Sequence, residues 1–351
     1  MSKFLKNLAL ILVLVFLVTA CAAPVAAPAA TEVVEEKPAV EETVVVEEPV
    51  EPLTVAIVSP SAINDFAFTQ SIYDGMIALQ KSMGGEDALE FVYSESMFVV
   101  DDAAAAVRDY ATQGYDLVIA HGSQYGSSLQ EIAPDFPETS FAWGTTVDTF
   151  GVPNIFAYEA ASQQGGYVNG VMAAMLTKSK VIGVVGPIET GDAKLYVDGF
   201  VAGVKATDPE VEVRVTYIGS FSDVALAAEA ATTHIAAGAD VLTGTAQMVV
   251  GAIGKAEEAG AFWFGTQSDQ ASFAPSIVVA SQVYHWEVIL EEIVALREEG
   301  KLGGQSFVAN LENGGQVIAF NPEFDLPADV KAAADAAIKG IIDGTVTIVL
   351  P

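Results

Sequence analysis

The chain has 351 residues, of which 52% are hydrophobic and 17% charged, so it is globular and long enough for two lobes. Its 46 acidic residues outnumber the 15 basic ones, which gives a formal net charge of −31. Such a surface repels nucleic-acid phosphates, and it suits neutral or cationic solutes better than highly anionic ones.

The amino-terminal segment predicts export and lipid attachment. Lys3 and Lys6 precede an apolar run over 8–18, which is typical of a signal peptide and too short for a dependable membrane span. We assign residues 1–20 to this peptide. Cys21, the single cysteine, follows small residues in the manner of a bacterial lipobox, and we predict that it carries the lipid. The protein is therefore expected to be lipid-anchored at the extracytoplasmic face of the cell membrane.

The next segment, 21–52, is built almost entirely from Ala, Pro, Val and Glu. Proline keeps such a chain extended, and its paired glutamates repel one another. We therefore predict a disordered acidic tether between the lipid and the folded part.

From residue 53 onward, short apolar runs alternate with amphipathic or Ala-rich stretches, which predicts parallel sheets flanked by helices. In the first half the pattern predicts strands at 53–58, 89–93, 116–120, 140–143 and 154–157, with helices at 68–83, 101–113 and 123–132. A similar series follows, with strands at 181–185, 211–217, 240–242 and 262–265 and helices at 163–176, 192–206, 223–237 and 249–259. Two α/β halves of one plan indicate two lobes that face a common cleft.

The remaining stretch, after 276, is too small for a third domain and should return to complete both lobes. It predicts a short strand at 277–280, a helix at 284–299, a strand at 316–320 and a helix at 327–342. We assign 53–156 with about 277–305 to lobe 1, and 157–276 with about 306–351 to lobe 2. Repeated crossing between lobes predicts a hinge, which is how solute-binding proteins close on a ligand.

The loop after the first strand is the first candidate for ligand contact. It runs from Ser59 into the helix at 68 and carries Asn64, Asp65, Phe66 and Phe68. A strand end followed by a helix start leaves free backbone N–H groups beside the sheet, and two aromatic rings offer flat apolar area. We predict that this loop is one jaw of a binding site, although both rings could instead fill core.

Several segments resemble the basic membrane protein (BMP) family of ABC-transporter substrate-binding lipoproteins. They are NDFAFTQS (64–71), GYDLVIAHG (114–122), YVNG (167–170), LTKS (176–179), GFVAGVKA (199–206), GADVL (238–242) and SDQ (268–270), in addition to the lipobox. The resemblance covers residue 53 to the carboxyl end and depends on the order and spacing of all segments together. It implies an α/β type I periplasmic-binding-protein fold, with two Rossmann-like lobes, a hinge and a central cleft that holds a purine nucleoside or nucleobase.

The resemblance also assigns two stacking aromatics, one to each lobe. They fall on Phe68 and on Phe221 of the segment GSFSD (219–223). Two such rings would sandwich a planar base. Phe221 could also pack onto its own lobe, since a single exposed aromatic needs no function.

Three positions depart from the nucleoside binders of the family. The resemblance places Ser59 and Gln267 where those proteins have acidic residues, and Tyr284 where they have a lysine. Charged groups make stronger hydrogen bonds than neutral ones, so their loss weakens the case for a ribose and favours a free base such as adenine. Tyr284 and Trp286, with FAP at 273–275, resemble a branch of the family that includes a purine-base binder.

Other polar or aromatic residues near the expected cleft complete the set of candidates. They are Tyr125, Trp143, Glu189, Gln247 and Asp269. A carboxylate accepts from an exocyclic amine, and a glutamine amide offers both a donor and an acceptor to a base edge. Asp269 could instead cap a turn, and Trp286 could face the core of its helix.

Enzyme chemistry has little support in the sequence. The glycines around 183–191 do not have dinucleotide-loop spacing, and His121, His234 and His285 show no metal-ligand spacing. We expect no enzymatic activity, no cofactor and no metal. A nucleoside hydrolase would need an acidic cluster in the first loop, where only Asp65 stands.

We therefore predict a monomeric, lipid-anchored receptor that captures a purine-type ligand for an ABC permease and its ATPase. Alternatives are a binder of a sugar or another heterocycle with the same fold, and a surface sensor or adhesin lipoprotein.

Overall fold

The structure, a computed structural model, describes residues 51–350. The predicted signal peptide, Cys21 and residues 21–50 of the predicted tether lie outside the described residues. No helix within the described part of the chain is both long and apolar enough to cross a membrane.

The first half of the described chain alternates strands and helices. In chain order the elements are β1 (Leu53–Val58), α1 (Phe68–Met83), β2 (Leu89–Ser94), α2 (Val100–Gln113), β3 (Leu117–Ala120), α3 (Gly126–Ile132), β4 (Ser140–Gly144) and β5 (Ile155–Ala160). Short 3-10 turns, Ser123–Tyr125 and Ala133–Asp135, flank α3.

The second half repeats this alternation and then returns to both lobes. It contains α4 (Ser162–Leu176), β6 (Val181–Gly186), α5 (Gly191–Thr207), β7 (Glu212–Tyr217), α6 (Val224–Ala236), β8 (Val241–Gly244), α7 (Val249–Ala259), β9 (Phe262–Gly265), β10 (Val278–Tyr284), α8 (Glu287–Glu298), β11 (Ser306–Ala309), β12 (Gln316–Phe320) and α9 (Ala328–Ile342).

These strands form two six-stranded sheets, one in each lobe. The sheet of lobe 1 has the order β11-β5-β4-β3-β1-β2, and all of its strands are parallel. The sheet of lobe 2 has the order β12-β10-β9-β8-β6-β7, and only the edge strand β12 is antiparallel within it. Apolar clusters cover both faces of each sheet, which explains why the central strands are buried almost throughout. The predicted two-lobed α/β fold is confirmed.

The strand pairing corrects the lobe boundaries expected from the sequence. β10, which we had assigned to lobe 1 with 277–305, pairs with β9 and β12 in the sheet of lobe 2. β11, which the sequence analysis did not predict, pairs with β5 in lobe 1, and β5 itself continues to Ala160 rather than ending near 157. A short apolar strand has no feature that says which of two sheet edges it will join, because either edge offers the same backbone hydrogen bonds.

The chain crosses between the lobes three times. The crossings follow β5 at residue 161, follow β10 at 285–286, and join β11 to β12 through 310–315. Buried side chains tie them together: Gln316 donates to the carbonyl of Ala161 (2.8 Å), and Gln282 donates to the carbonyl of Ser162 (3.1 Å) and to Gln316 (2.7 Å). This polar network forms the hinge.

Helices α4 and α5 pack unusually closely beside the hinge. A Cβ added at Gly166 would lie 2.4 Å from the carbonyl oxygen of Tyr196, and one at Gly203 would lie 2.1 Å from that of Tyr167. Only glycine permits two backbones to approach this closely. The contact fixes α5, whose first turn reaches the cleft, against the helix that begins at the hinge.

Candidate functional site

A cleft between the lobes contains about 420 Å³ of space that protein atoms do not fill, part of which is open to solvent. Its lining comes from the loops that follow the first four strands of each sheet. Lobe 1 contributes Pro60, Phe68, Phe98, Gly122, Ser123, Gln124 and Thr145, and lobe 2 contributes Thr190, Gly191, Asp192, Ala193, Phe221, Ala246, Gln247 and Gln267. In each sheet the strand order reverses beside β1 or β6, and ligands of open α/β sheets bind at such switch points.

Phe68 is supported from behind by a stack of aromatic rings. Its ring lies 3.9 Å from the ring of His121 at an interplanar angle of 17°, and His121 is stacked in turn near Tyr158. The imidazole is fully buried, and its nitrogens lie 2.7 Å from the Tyr158 hydroxyl and 3.2 Å from the Phe68 carbonyl oxygen. Burial lowers the pKa of His121 to about 3, so this ring is neutral at physiological pH. The stack holds the Phe68 ring in a fixed plane beside the cleft.

Two further phenylalanines line the cleft from equivalent loops of the two lobes. Phe221 follows β7, and its carbonyl accepts from the N–H of Met248 at 3.1 Å. Phe98 follows β2, the corresponding strand of lobe 1. Its loop is held where the Tyr125 hydroxyl donates to the Met97 carbonyl at 2.7 Å. The cleft therefore has aromatic area on both sides.

Asp192 supplies the charge of the site. Within residues 51–350, it is the one charged side chain of the cleft lining, and no lysine, arginine or histidine of that part lines the cleft. Its Oδ2 accepts from the Tyr284 hydroxyl at 3.1 Å and from the Gln267 amide at 3.3 Å. Burial raises the pKa of the Asp192 carboxyl, because these neutral donors only partly replace lost water. An anionic ligand would meet this carboxyl without a compensating cation.

Neutral polar groups complete the lining. Gln267 accepts from the N–H of Ala246 at 3.2 Å and donates to Asp192, so its amide is held at both ends. Gln247 is 8% exposed, and in the described part of the chain its Oε1 has no hydrogen-bond partner. Such a buried acceptor is costly unless a ligand or water satisfies it.

The backbone of the lining loops is strained at three residues. Thr145, Ala246 and Gln267 have φ of 66°, 76° and 70°, a region that residues with a Cβ rarely occupy. Thr145 and Gln267 follow β4 and β9, which are corresponding strands of the two lobes. Strain of this kind is concentrated at ligand sites, where the surrounding fold maintains it.

Four residues predicted from the sequence line the cleft: Phe68, Phe221, Gln247 and Gln267. Asp65 has a different position, because its carboxylate caps α1. It accepts from the N–H groups of Ala67 (2.8 Å), Thr69 (3.1 Å) and Gln70 (3.1 Å) and from the Ser61 hydroxyl (2.5 Å). These four donors occupy the carboxylate, so its contribution is to fix the start of the helix that carries Phe68.

Phe66 joins the lobes beside the cleft rather than lining it. Its ring meets Phe273 of lobe 2 edge to face at 5.3 Å, and its carbonyl accepts from the Gln270 amide at 2.9 Å. The next carbonyl, of Ala67, accepts from the Ser268 hydroxyl at 2.8 Å. The positive φ of Phe66 (56°) turns these carbonyls toward lobe 2.

Tyr125 and Trp143 lie behind the lining loops. Trp143 donates from its indole N–H to the Gly122 carbonyl at 3.1 Å and stacks on Phe150 at 4.9 Å. Together with the bond from Tyr125 to Met97, this contact holds the loops that present Gln124 and Phe98.

The remaining predicted residues lie outside the lining. Trp286 is 1% exposed and donates to Ser71 within the core of lobe 1, Tyr284 is buried beneath the cleft against Asp192, and Ser59 is buried at the end of β1. Asn64, Glu189 and Asp269 are exposed, and Asp269 accepts from the N–H of Ala271 in a turn.

Eleven lining residues were not predicted from the sequence, and Asp192 and Phe98 are the most important of them chemically. Two signals could have found them. Asp192 begins the predicted helix at 192–206, directly after a strand and loop, and Phe98 follows β2 as Phe221 follows β7. The small and backbone contributors, such as Gly122 and Ala193, have no such signal.

The fold and the placement of this cleft define a two-lobed solute-binding protein of the periplasmic type. The family model described as ABC transporter substrate-binding protein PnrA-like, Bmp, matches residues 53–345, and the chain belongs to this family. The family predicted from the sequence is thereby confirmed.

Relatives and solved structures agree with this assignment. The chain is 26% identical over 294 residues to a purine-binding protein of Brucella abortus (strain 2308), covering 84% of this chain and 82% of that protein. It is 26% identical over 319 residues to the ABC transporter nucleoside-binding protein BmpA of Lactococcus lactis subsp. cremoris (strain MG1363), covering 84% and 89%. A solved ABC transporter solute-binding protein from Conexibacter woesei superposes with a TM-score of 0.70 at 23% identity, covering 85% of this chain and 98% of that one.

Proposed function

We propose that this protein is a lipid-anchored receptor that captures a purine-type ligand, a nucleobase such as adenine before a nucleoside, for an ABC importer. The observation that carries the proposal is that Phe68 of lobe 1 and Phe221 of lobe 2 line the same cleft. A flat ring held between them contacts both lobes, so its binding energy favours the closed state.

Stacking suits a purine for a general reason. Aromatic rings offer large apolar faces at little conformational cost, and every base has a face that can stack on them. The fixed plane of Phe68 against His121 reduces what the site loses in entropy when the ligand binds.

The polar side chains at the cleft favour a free base over a nucleoside. Gln267 and Tyr284, which replace the acidic residue and lysine of the nucleoside-binder pattern, both donate to Asp192. They are neutral and already engaged, so they offer little to ribose hydroxyls. The printed names of the two curated relatives, purine-binding and nucleoside-binding, support the same range of ligands.

Membership of this family implies a small-molecule ligand, an ABC permease and ATPase as partners, and a place of action outside the cytoplasm. Lipid attachment at Cys21 remains our proposal from the sequence. In the native bacterium, the wild-type chain should partition into detergent in a Triton X-114 phase separation, whereas Cys21→Ala should remain in the aqueous phase. An aqueous wild-type chain would remove the anchor from the proposal.

Calorimetric titration of the purified protein with adenine and adenosine tests the ligand. Phe68→Ala and Phe221→Ala should each weaken adenine binding by roughly 10- to 100-fold, which corresponds to the usual worth of one base–aromatic stack. Tyr93→Ala is the matched control, because this ring is 42% exposed on lobe 1 away from the cleft and should bind as the wild type does. Binding of sugars instead of purines, or unchanged binding in both Phe variants, would refute the proposal.

A further inference from the structure

We propose that Asp192 determines which rings the cleft accepts, by requiring an edge with N–H donors, such as an exocyclic amine, and rejecting an oxo group at the same position. This inference rests on the proposed function, because it concerns the edge of a ring already held between Phe68 and Phe221.

The charge of the cleft lining favours a ligand that donates hydrogen bonds. Within the described residues Asp192 is the single charged side chain that lines the cleft, and it is 7% exposed. Lys194 lies two residues after Asp192 on α5, but its amine pairs with the carboxylate of Asp198 at 2.6 Å instead. A buried carboxyl without a cation needs hydrogen-bond donors, and a ligand bearing them gains more than one that offers an acceptor.

The side chains that hold the Asp192 carboxyl bind only one of its two oxygens. Tyr284 and Gln267 both donate to Oδ2, and no side chain of residues 51–350 donates to Oδ1. Two donors on one oxygen fix the plane of the carboxyl. The backbone N–H groups of Asp192 and Ala193 also donate to this carboxyl, but each carboxylate oxygen accepts more than one hydrogen bond, so Oδ1 retains capacity for a donor that arrives in the cleft.

Gln247 adds a second acceptor to the lobe 2 side of the cleft. This side chain lines the same cleft from the loop after β8, is more than nine-tenths buried, and has an Oε1 without a partner in the described part of the chain. Asp192 and Gln247, one from each of the loops after β6 and β8, both place an acceptor on the lobe 2 side. An exocyclic amine carries two N–H groups and can satisfy both acceptors, whereas an oxo purine has an acceptor at that position and a single N–H beside it.

Calorimetric titration with adenine and hypoxanthine tests the inference, because the amino donor and the neighbouring ring-nitrogen acceptor of adenine are replaced in hypoxanthine by an oxo acceptor and a ring N–H donor. The wild type should bind adenine roughly 10- to 100-fold more tightly, the range expected for a hydrogen bond to a charged group. Asp192→Asn keeps the size of the side chain but adds a donor. It should therefore reduce the ratio of adenine affinity to hypoxanthine affinity at least fivefold, which is about half of the wild-type preference when both are expressed as free energies. Asp329→Asn, at an exposed carboxylate in the first turn of α9 of the same lobe, is the matched control and should leave the ratio unchanged.

The outcomes separate this inference from the proposed function. If the wild type binds neither base, both the purine proposal and this inference are refuted. If the wild type binds both bases equally, or if Asp192→Asn weakens both by the same factor, Asp192 supports the fold of the site without selecting the ligand, and only this inference is refuted. A thermal melt of each unliganded variant, expected within about 2 °C of the wild type, checks that the folded state is intact.

Discussion

The hydroxyl of Tyr284 donates to the carboxyl of Asp192 across 3.1 Å and lies 2.5 Å from the hydroxyl of Ser162. Ser162 begins α4 at the first crossing between the lobes, and Tyr284 ends β10 at the second. The charged group of the cleft is thus joined directly to two segments of the hinge. We therefore expect a ligand that contacts Asp192 to influence the hinge through Tyr284.

Removal of this hydroxyl should weaken both the hinge and the site. Tyr284→Phe leaves Ser162 and Asp192 with one partner fewer in a buried place, and we expect a loss of about 1–2 kcal/mol in the free energy of unfolding together with weaker adenine binding. Urea unfolding and calorimetric titration measure the two effects. Tyr93→Phe removes a hydroxyl from an exposed ring and should change neither. Wild-type stability in Tyr284→Phe would contradict the role given to this bond.

The stability of the protein should depend on pH through His121. Its pKa is about 3 in the folded protein against 6.5 in an unfolded chain, so below pH 6.5 the unfolded state binds the proton first. Stability should therefore decrease as the pH falls through this window, by roughly 2 kcal/mol between pH 6.5 and pH 5. Urea unfolding at several pH values measures the slope.

The matched variants for this prediction are two histidine substitutions. His121→Gln removes the titrating group and should flatten the slope by that amount, although the variant itself will be less stable because the Phe68 stack is lost. His285→Gln, at a side chain that is 42% exposed, should keep the wild-type slope. Equal slopes in all three proteins would rule out His121 as the source.

Glycine-to-alanine changes should have opposite effects inside and outside the close contact of α4 with α5. Gly166→Ala places a methyl group 2.4 Å from the Tyr196 carbonyl oxygen, where backbone must move, and should cost about 1–3 kcal/mol of stability. Gly254→Ala lies in α7 with nothing within 4 Å of the added carbon and should stabilise by about 0.5–1 kcal/mol. Thermal unfolding of both variants decides this, and a stable Gly166→Ala would mean that the helices can separate at little cost.

Replacement of Gln247 should affect stability and ligand binding in opposite directions. Gln247→Leu removes a buried acceptor that has no partner in the described chain, so the unliganded protein should be as stable as the wild type or gain about 1 kcal/mol. The same change removes an amide from the cleft, and adenine binding should weaken. Gln113→Leu, at the exposed end of α2, is the control and should bind normally. A variant that loses stability but keeps its affinity would assign Gln247 to structure instead.

The sequence by itself determined the α/β class, the two lobes and most element positions, because alternating apolar runs must be buried in parallel sheets wherever they lie. It also indicated Phe68 and Gln247, since these follow predicted strands and parallel strands end at a common edge, whereas Phe221 and Gln267 were indicated by the resemblance to the BMP family.

Only the tertiary structure decided which side chains of these loops face the cleft. Asp65 and Trp286 carry suitable chemistry, yet backbone N–H groups occupy the carboxylate of Asp65 and the core of lobe 1 encloses the ring of Trp286. Asp192 enters the site because α4 fixes the first turn of α5 beside the cleft. The local sequence pattern also could not predict that β10 belongs to lobe 2 and β11 to lobe 1. Strand pairing depends on which sheet lies near when the chain returns, and that distance is a property of the folded molecule.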